Sequence, residues 1–136
     1  MRADCHMHTY FSGDSEAKPE DMVLAAIDKG LEAICFTDHE DIDYFCDDIE
    51  FVFNPETYFK ELGALKEKYK EKLDIRIGVE FGLQPHLAKK AKAFTAAYPY
   101  DFVIGSMHVV GGKDPYYPEF FEGISDEEAY RMALRE

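Results

Sequence analysis

The sequence has no tryptophan, only three cysteines among 136 residues, and few basic residues. The cysteines (Cys5, Cys35 and Cys46) are odd in number and lack the spacing of a disulfide framework, which favours a reducing compartment. No apolar run approaches the roughly 20 residues that span a bilayer. The N-terminus lacks the charged and apolar regions of a signal peptide. These absences predict a cytoplasmic protein without a membrane segment.

The shortage of positive charge limits the partners. The chain has 15 Lys and Arg against 28 Asp and Glu, for a net charge of −13. Because phosphate backbones are bound by clustered Lys and Arg, this balance argues against nucleic acid or an anionic membrane as partner. The 46% of hydrophobic residues is typical of a globular domain. The length fits one small domain, but a complete β/α barrel needs about 200 residues or more.

Strand-like and helix-like segments alternate along the chain. Short apolar runs predict strands at 31–37, 74–81 and 100–107. The short segment 2–8, which precedes a turn-rich stretch, is taken as the first strand. Apolar periodicity and capping residues predict helices at 19–30, 54–69, 85–97 and from 125 onward. The acidic stretch 38–50 predicts a loop. This order predicts an α/β fold with parallel strands, in which functional residues gather at the carboxyl ends of the strands.

Histidines and one carboxylate lie at those predicted strand ends. His6 and His8 close the first strand, and the two-residue period of a strand puts both rings on one face, where they can bind one ion. Glu80 ends the third strand inside an apolar run, where a carboxylate is costly to bury unless it is paired. His108 follows the fourth strand. The alternative is a set of histidines that only cap strand ends.

Two further groups complete a candidate metal site. His39 closes the second strand, and Asp14 lies in the loop after the first. The predicted donors are His6, His8, Asp14, His39, Glu80 and His108. Mixed imidazole and carboxylate ligation suits Zn²⁺, Mn²⁺ or Fe²⁺, and six donors exceed the needs of one tetrahedral ion. Closely spaced ions activate a bridging water for displacement at phosphorus, and they supply the positive charge that this acidic chain lacks.

The same residues carry a resemblance to a known family. The order of motifs resembles that of the polymerase-and-histidinol-phosphatase (PHP) superfamily, over essentially the whole chain. The matching motifs are Asp4-Cys5-His6-Met7-His8, Asp14, Thr37-Asp38-His39, Gly78-Val79-Glu80 and Gly105-Ser106-Met107-His108. The segment His108-Val-Val-Gly-Gly-Lys-Asp-Pro-Tyr-Tyr, with Phe120-Phe-Glu-Gly after it, is similar to the histidinol-phosphatase branch.

The resemblance implies a fold and an activity. The fold would be the N-terminal half of a distorted (β/α)7 TIM-like barrel, with up to three divalent metal ions at the carboxyl rim of the complete enzyme. The reaction would be hydrolysis of L-histidinol phosphate to L-histidinol and phosphate, in histidine biosynthesis. A metal-bound hydroxide would be the nucleophile, attacking phosphorus in line.

The resemblance also implies roles for individual residues. His6 and His8 would hold the first metal, and His108 the second. Glu80 would bridge these two ions. The third metal would be held by Asp14 and His39. Asp38 would support the site by orienting a ligand histidine.

Several residues of the family pattern do not occur in this sequence. They are a further histidine for the second metal, an Asp-x-His motif and a phosphate-binding arginine, all of which lie later in the family's chain. We therefore expect residues 1–136 to be a PHP domain truncated before its C-terminal metal-binding motifs. On this interpretation the chain holds about half of a barrel, with an open sheet edge.

Substrate contacts and alternative functions remain hypotheses at the level of sequence. Asp43, together with Asp41 or Asp47, could meet the cationic amino group of histidinol, and Lys113 could contact phosphate. The simpler interpretations are a solvated acidic loop and an ordinary turn. His86 is expected to face solvent or cap a helix. The alternative functions are a PHP-type phosphodiesterase or exonuclease on short oligonucleotides, and a non-catalytic metal-binding remnant.

Overall fold

The computed structural model describes residues 2–45 and 50–135. Strands and helices alternate along most of the chain. The strands are β1 (Ala3–Met7), β2 (Ala33–Phe36), β3 (His39–Glu40), β4 (Asp74–Gly82) and β5 (Phe102–Ser106). The helices are α1 (Pro19–Asp28), α2 (Pro55–Tyr69), α3 (Ala88–Ala97) and α4 (Asp126–Ala133), with short 3-10 turns at Pro85–Leu87 and Pro118–Phe121. Within the described residues, no helix has the length and apolar character needed to cross a membrane.

All strand pairs are parallel, and the sheet curls into half of a TIM-like barrel, as the sequence predicted. β2 lies between β1 and β4, and β5 pairs with the other side of β4. β3 continues the line of β2 along β4 without a change of register, since Phe36 faces Ile77 and His39 faces Glu80. The prediction of a loop from residue 38 onward was therefore wrong for His39 and Glu40.

The core lies between the sheet and its helices. Ile75, Ile77 and Val79 alternate along β4 and are buried with Tyr58 and Leu62 of α2. The other face of β4 carries Gly78, Glu80 and Gly82 by the two-residue period of a strand. This pattern leaves Glu80 on the face that would line the inside of a barrel.

The predicted helix starts are present, with their capping residues. Pro19 occupies the first turn of α1, and the Asn54 side chain accepts a hydrogen bond of 3.0 Å from the Thr57 backbone N–H at the start of α2. Ser125 and Glu128 form a reciprocal capping box at α4. The helix predicted from residue 85 begins instead as a 3-10 turn, and α3 starts at Ala88.

The two outer strands are open. Among the described strands, β1 pairs only with β2, and β5 pairs only with β4. Phe102 and Val103 of β5 are 47% and 41% exposed, although both are apolar. Large exposed apolar side chains on an outer strand are uncommon in a closed fold, because sheet edges are normally covered or charged.

Candidate metal centre

Glu80 stands at the centre of a ring of histidines at the carboxyl rim of the sheet. Its carboxylate is almost fully buried and lies 2.9 Å from His6 Nε2, 3.0 Å from His8 Nε2 and 3.2 Å from His108 Nε2. The Ser106 hydroxyl donates to Glu80 Oε1 at 2.5 Å. These side chains come from the ends of β1, β4 and β5, so parallel strand pairing brings them together.

The first group of donors has the spacing that a metal ion requires. His6 Nε2, His8 Nε2 and Glu80 Oε2 lie 2.9 to 3.0 Å from one another. Ligand atoms bound to zinc at about 2.0–2.1 Å lie roughly 3.0–3.4 Å apart by simple geometry. Here two imidazole nitrogens are in contact, and both face one carboxylate oxygen. This is an arrangement of metal-ligand atoms that suits a cation. The residues present therefore fit a divalent metal.

Two further donor groups share residues with the first. His39, Glu80 and His108 offer ligand atoms within 4.8 Å of one another, and so do His8, Asp14 and His39. Asp14 Oδ2 lies 3.0 Å from His8 Nδ1 and 3.5 Å from His39 Nε2. All six predicted donors therefore meet at one rim. In each of the three groups at least one residue belongs to another group, so the six side chains form one continuous set of candidate ligands.

The charges in this ring are strongly coupled. Burial alone would raise the pKa of the Glu80 carboxyl, but hydrogen bonds from His108, His8, Ser106 and His6 hold the pKa well below its usual range. Burial alone would lower the pKa of His8, yet the contacts with Glu80 and Asp14 raise it to about 9. For His108 the contacts with Asp41 and Glu80 likewise overcome burial, and the pKa rises to about 10. In the metal-free chain, protons on these rings thus balance the carboxylates.

Asp38 supports the site through the loop that follows β1. The Asp38 side chain is fully buried, and its Oδ1 accepts hydrogen bonds from the Thr9 N–H at 2.5 Å and the Ser12 hydroxyl at 3.1 Å. Ser12 Oγ in turn accepts the His39 N–H at 2.8 Å. The sequence analysis expected Asp38 to orient a histidine ring. The carboxylate instead fixes the loop between His8 and Asp14, and it reaches His39 only through Ser12.

Asp41 lies in the candidate site, although from the sequence it was considered only as a substrate contact. Its Oδ2 lies 2.8 Å from His108 Nδ1 and 3.3 Å from His39 Nδ1, and the side chain is buried. The signal in the sequence is the spacing, since Asp41 follows His39 by two residues and strand residues of that spacing share a face. The acidic composition of the stretch concealed it.

A cavity of about 510 Å³ opens beside the rim. Its walls combine donors of the rim with further carboxylates and aromatic rings. The lining residues are Asp14, His39, Asp41, Tyr44, Phe51, His108, Asp114, Tyr116 and Tyr117. The Tyr44 hydroxyl donates to the Asp114 carboxylate, which ties the two sides of the opening together. No lysine or arginine lines the cavity within the part of the chain that the structure describes.

The two substrate contacts predicted from sequence lie elsewhere. The Asp43 carboxylate is bound to His86 Nε2 at 3.0 Å, and Asp43 is not among the cavity residues. Asp43 has a φ of 61°, so the chain turns sharply there and directs the side chain to His86 instead. The Lys113 ammonium lies 3.3 Å from the Glu119 carbonyl oxygen, also outside the cavity. Asp14, Asp41 and Asp114 are the carboxylates in its wall, and Asp47 lies outside the described residues.

The order of elements, the half-barrel and the ring of donors define a class of protein, and residues 4–135 match the PHP domain family. The chain belongs to this family. It is 38% identical over 134 residues to the histidinol-phosphatase of Lactococcus lactis. The aligned region covers 98% of this chain and 49% of that protein. The chain thus spans about half the length of this curated relative.

Solved structures show the same likeness. The histidinol phosphate phosphatase of Lactococcus lactis, complexed with zinc, L-histidinol and phosphate, superimposes with a TM-score of 0.87 at 38% identity. The match covers 96% of this chain and 49% of that one. A structure from Listeria monocytogenes, at 22% identity and a TM-score of 0.83, shares the fold over 98% of this chain and 59% of its own.

Proposed function

We propose that this chain carries the metal centre of a phosphomonoesterase that hydrolyses L-histidinol phosphate to L-histidinol and phosphate, a step of histidine biosynthesis. The observation that carries the proposal is the position of Glu80, whose carboxylate faces His6, His8 and His108 within 3.2 Å. The histidinol-phosphatase of Lactococcus lactis, 38% identical, supports the choice of substrate.

The proposed cofactors are divalent metal ions, up to three in a complete enzyme. The residues that would hold them are His6, His8, Asp14, His39, Glu80 and His108. Zinc is supported by the Lactococcus structure, which is complexed with it. The same nitrogen and oxygen donors also accept manganese or iron, and availability decides between them. When bound, such ions act as Lewis acids that neutralise charge on phosphoryl oxygens and acidify water.

The chain's own residues prepare the site for cations. Glu80 stays ionised, because its hydrogen bonds favour the charged form. His8 and His108 carry protons in the metal-free chain and must release them on metal binding, since a ligand nitrogen needs its lone pair. Asp38 fixes the loop that presents Asp14. Metal binding is therefore expected to release protons and to strengthen as pH rises.

The cavity beside the rim fits the organic part of the proposed substrate. L-Histidinol has an amino group that is cationic at neutral pH and an aromatic imidazole ring. The cavity wall offers carboxylates (Asp41 and Asp114) and aromatic rings (Tyr44, Phe51 and Tyr117) for these two groups. This complementarity supports a small cationic ester over a polyanionic substrate.

We also propose that ligands from outside these 136 residues complete the centre, so that residues 1–136 are the first part of a longer PHP domain. The support is the coverage of the relatives, about half in each Lactococcus comparison, and the two open strands β1 and β5. A cytoplasmic location is proposed as well. Its support is the odd number of cysteines, which is typical of a reducing compartment.

The alternative functions have less support. A phosphodiesterase or exonuclease would have to bind a polyanionic strand with a chain of net charge −13, beside a cavity lined by carboxylates. A non-catalytic metal-binding remnant would hold fewer than two tightly bound ions per chain and would hydrolyse no ester in any longer form.

The test combines elemental analysis with phosphate-release assays. The 136-residue chain would be compared with a version extended by the matching second half of the Lactococcus relative. We expect the extended version to hydrolyse L-histidinol phosphate, and the short chain to bind metal weakly and be nearly inactive. Cleavage of a short single-stranded oligonucleotide, with no release of phosphate from L-histidinol phosphate, would contradict the proposed substrate. Equal turnover by the two versions would contradict the need for further ligands.

A further inference from the structure

Asp41 lies directly behind two of the candidate ligands. Its Oδ2 is 2.8 Å from His108 Nδ1, a hydrogen-bond distance, and 3.3 Å from His39 Nδ1. The residue is 6% exposed, so water competes little for these contacts. The contact with His108 is a hydrogen bond, whereas His39 Nδ1 lies at ion-pair distance from the same oxygen and 3.7 Å from Glu80 Oε2.

The other nitrogen of each ring faces the donor groups. His108 Nε2 lies 3.2 Å from Glu80 Oε1, and His39 Nε2 lies 3.5 Å from Asp14 Oδ2. A ring nitrogen that donates its proton to a carboxylate leaves the opposite nitrogen with a free lone pair and fixes the orientation of the ring. The positions of these atoms therefore set Nε2 as the ligand atom of His108.

The position of Asp41 is itself fixed by the backbone around it. Its N–H donates to the Phe51 carbonyl oxygen at 2.7 Å. On the opposite side, a Cβ added to Gly82 would lie 2.2 Å from Asp41 Oδ1, closer than any side chain could tolerate. The carboxylate therefore fills the space that a Cβ at residue 82 would occupy, and a side chain there would displace it.

We propose that Asp41 is a positioning residue that holds His108 with Nε2 directed to the metal. This inference rests on the metal centre of the proposed function and assigns to it a residue that is not itself a ligand. Asp41 also lines the cavity, so direct contact with substrate is the competing role, and the experiment must separate the two.

The first measurement is zinc affinity in the 136-residue chain, by competition with a zinc-binding dye. Loss of a carboxylate that supports a ligand histidine typically weakens metal binding by about 10–100-fold. We expect a loss of this size for Asp41→Ala and a smaller one for Asp41→Asn, which keeps one acceptor oxygen. Asp43→Asn is the matched control. It removes a charge from the same loop, but its carboxylate faces His86, so wild-type affinity is expected.

A second variant displaces the carboxylate without changing its chemistry. Gly82→Ala would force Asp41 away from its present position, because the added Cβ and Oδ1 cannot both fit. We expect Gly82→Ala to weaken zinc binding as Asp41→Ala does. Gly63→Ala is the control, since no atom lies within 4 Å of the added Cβ, and its affinity should equal that of the wild type. Circular dichroism of each metal-free variant would confirm that it folds.

The third measurement observes the hydrogen bond itself. In the zinc-loaded chain, proton–nitrogen NMR should show a slowly exchanging proton on His108 Nδ1, protected by Asp41. We expect Asp41→Ala to lose this signal through exchange with water, even at saturating zinc. A residue that only contacts substrate would change neither this signal nor zinc affinity.

Two results would overturn the proposal. Wild-type zinc affinity in both Asp41→Ala and Gly82→Ala would reject the positioning role and leave the metal centre intact. If Asp43→Asn lost as much zinc affinity as Asp41→Ala, the charge of the loop would explain the loss. The positioning role of Asp41 would then be rejected as well. If the short wild-type chain binds no zinc, the same comparison is made in the extended version. If that version binds none, the proposed metal centre is wrong, and the role of Asp41 is rejected with it.

Discussion

At the scale of single residues, the candidate centre depends most on Glu80, because its carboxylate lies within 3.2 Å of His6, His8 and His108. We predict that Glu80→Gln lowers zinc affinity by more than the ~10–100-fold typical of a residue that only supports a ligand. The amide lacks the negative charge that the surrounding histidines and a cation require. Elemental analysis after dialysis should show at least one ion fewer per chain than in the wild type.

Glu71→Gln is the control for this change, since Glu71 is an exposed residue just after α2. Both variants remove one negative charge, so a difference in their metal content must result from where that charge lies. Equal metal content in Glu80→Gln and Glu71→Gln would contradict a bridging role for Glu80.

The shared position of the six candidate donors could be predicted from the sequence, because each was expected at a strand end or in the first loop, and parallel strands place such residues at one rim. The residues that line the cavity could not be predicted in this way. Whether Asp41 or Asp43 faces the rim depends on the path of a loop, and the positive φ at Asp43 reverses the direction of its side chain. Nothing in the acidic composition of the stretch distinguishes the two residues.

At the scale of elements, Gly78 controls how closely β5 approaches β4. A Cβ on residue 78 would lie 2.7 Å from the Phe102 carbonyl oxygen and 3.1 Å from the Phe36 carbonyl oxygen, both backbone atoms. We predict that Gly78→Ala lowers the free energy of unfolding by about 1–3 kcal/mol, the usual cost of overpacking. Urea denaturation would measure it.

Gly63→Ala adds the same volume as Gly78→Ala, but we expect it to raise the free energy of unfolding. No atom lies within 4 Å of the added Cβ, and alanine stabilises a helix by about 0.5–1 kcal/mol relative to glycine. A Gly78→Ala variant as stable as Gly63→Ala would contradict the close approach of β5.

Tyr58 connects α2 to the point where β2 passes into β3. Its ring is fully buried, and its hydroxyl donates to the Gly78 carbonyl oxygen at 3.2 Å and accepts the Asp38 N–H at 3.4 Å. We predict that Tyr58→Phe costs about 1–3 kcal/mol in free energy of unfolding, because buried polar groups lose their partner. Tyr130→Phe, at a side chain that is 74% exposed, should change stability little.

β3 shows why element boundaries were harder to predict than element order. His39 and Glu40 read as the start of an acidic loop, since charged residues are uncommon in buried strands. In the structure both are buried, and β4 supplies the pairing partner that a single segment cannot reveal. The strands β2 and β4 could be predicted because their apolar runs are long enough to signal burial locally.

At the scale of the whole molecule, the rim makes stability depend on pH. In the metal-free chain the pKa of His8 is raised to about 9 and that of His108 to about 10, whereas an unfolded histidine titrates near 6.5. Between these values the folded chain binds more protons than the unfolded chain. The stability that these two histidines contribute is therefore fully present below about pH 6.5 and is lost as pH rises through the folded pKa values.

Zinc should reverse this dependence, because ligands must lose their protons before they bind a metal. We predict that the metal-free melting temperature falls from about pH 6.5 to about pH 8.5, while the increase produced by saturating zinc grows over the same range. His108→Gln removes one of the two raised pKa values, so its metal-free melting temperature should fall less steeply than that of the wild type. Differential scanning fluorimetry with and without zinc would measure all three profiles. A metal-free midpoint that rises with pH, or a zinc effect that shrinks, would show that protons and cations do not compete for this ring of histidines.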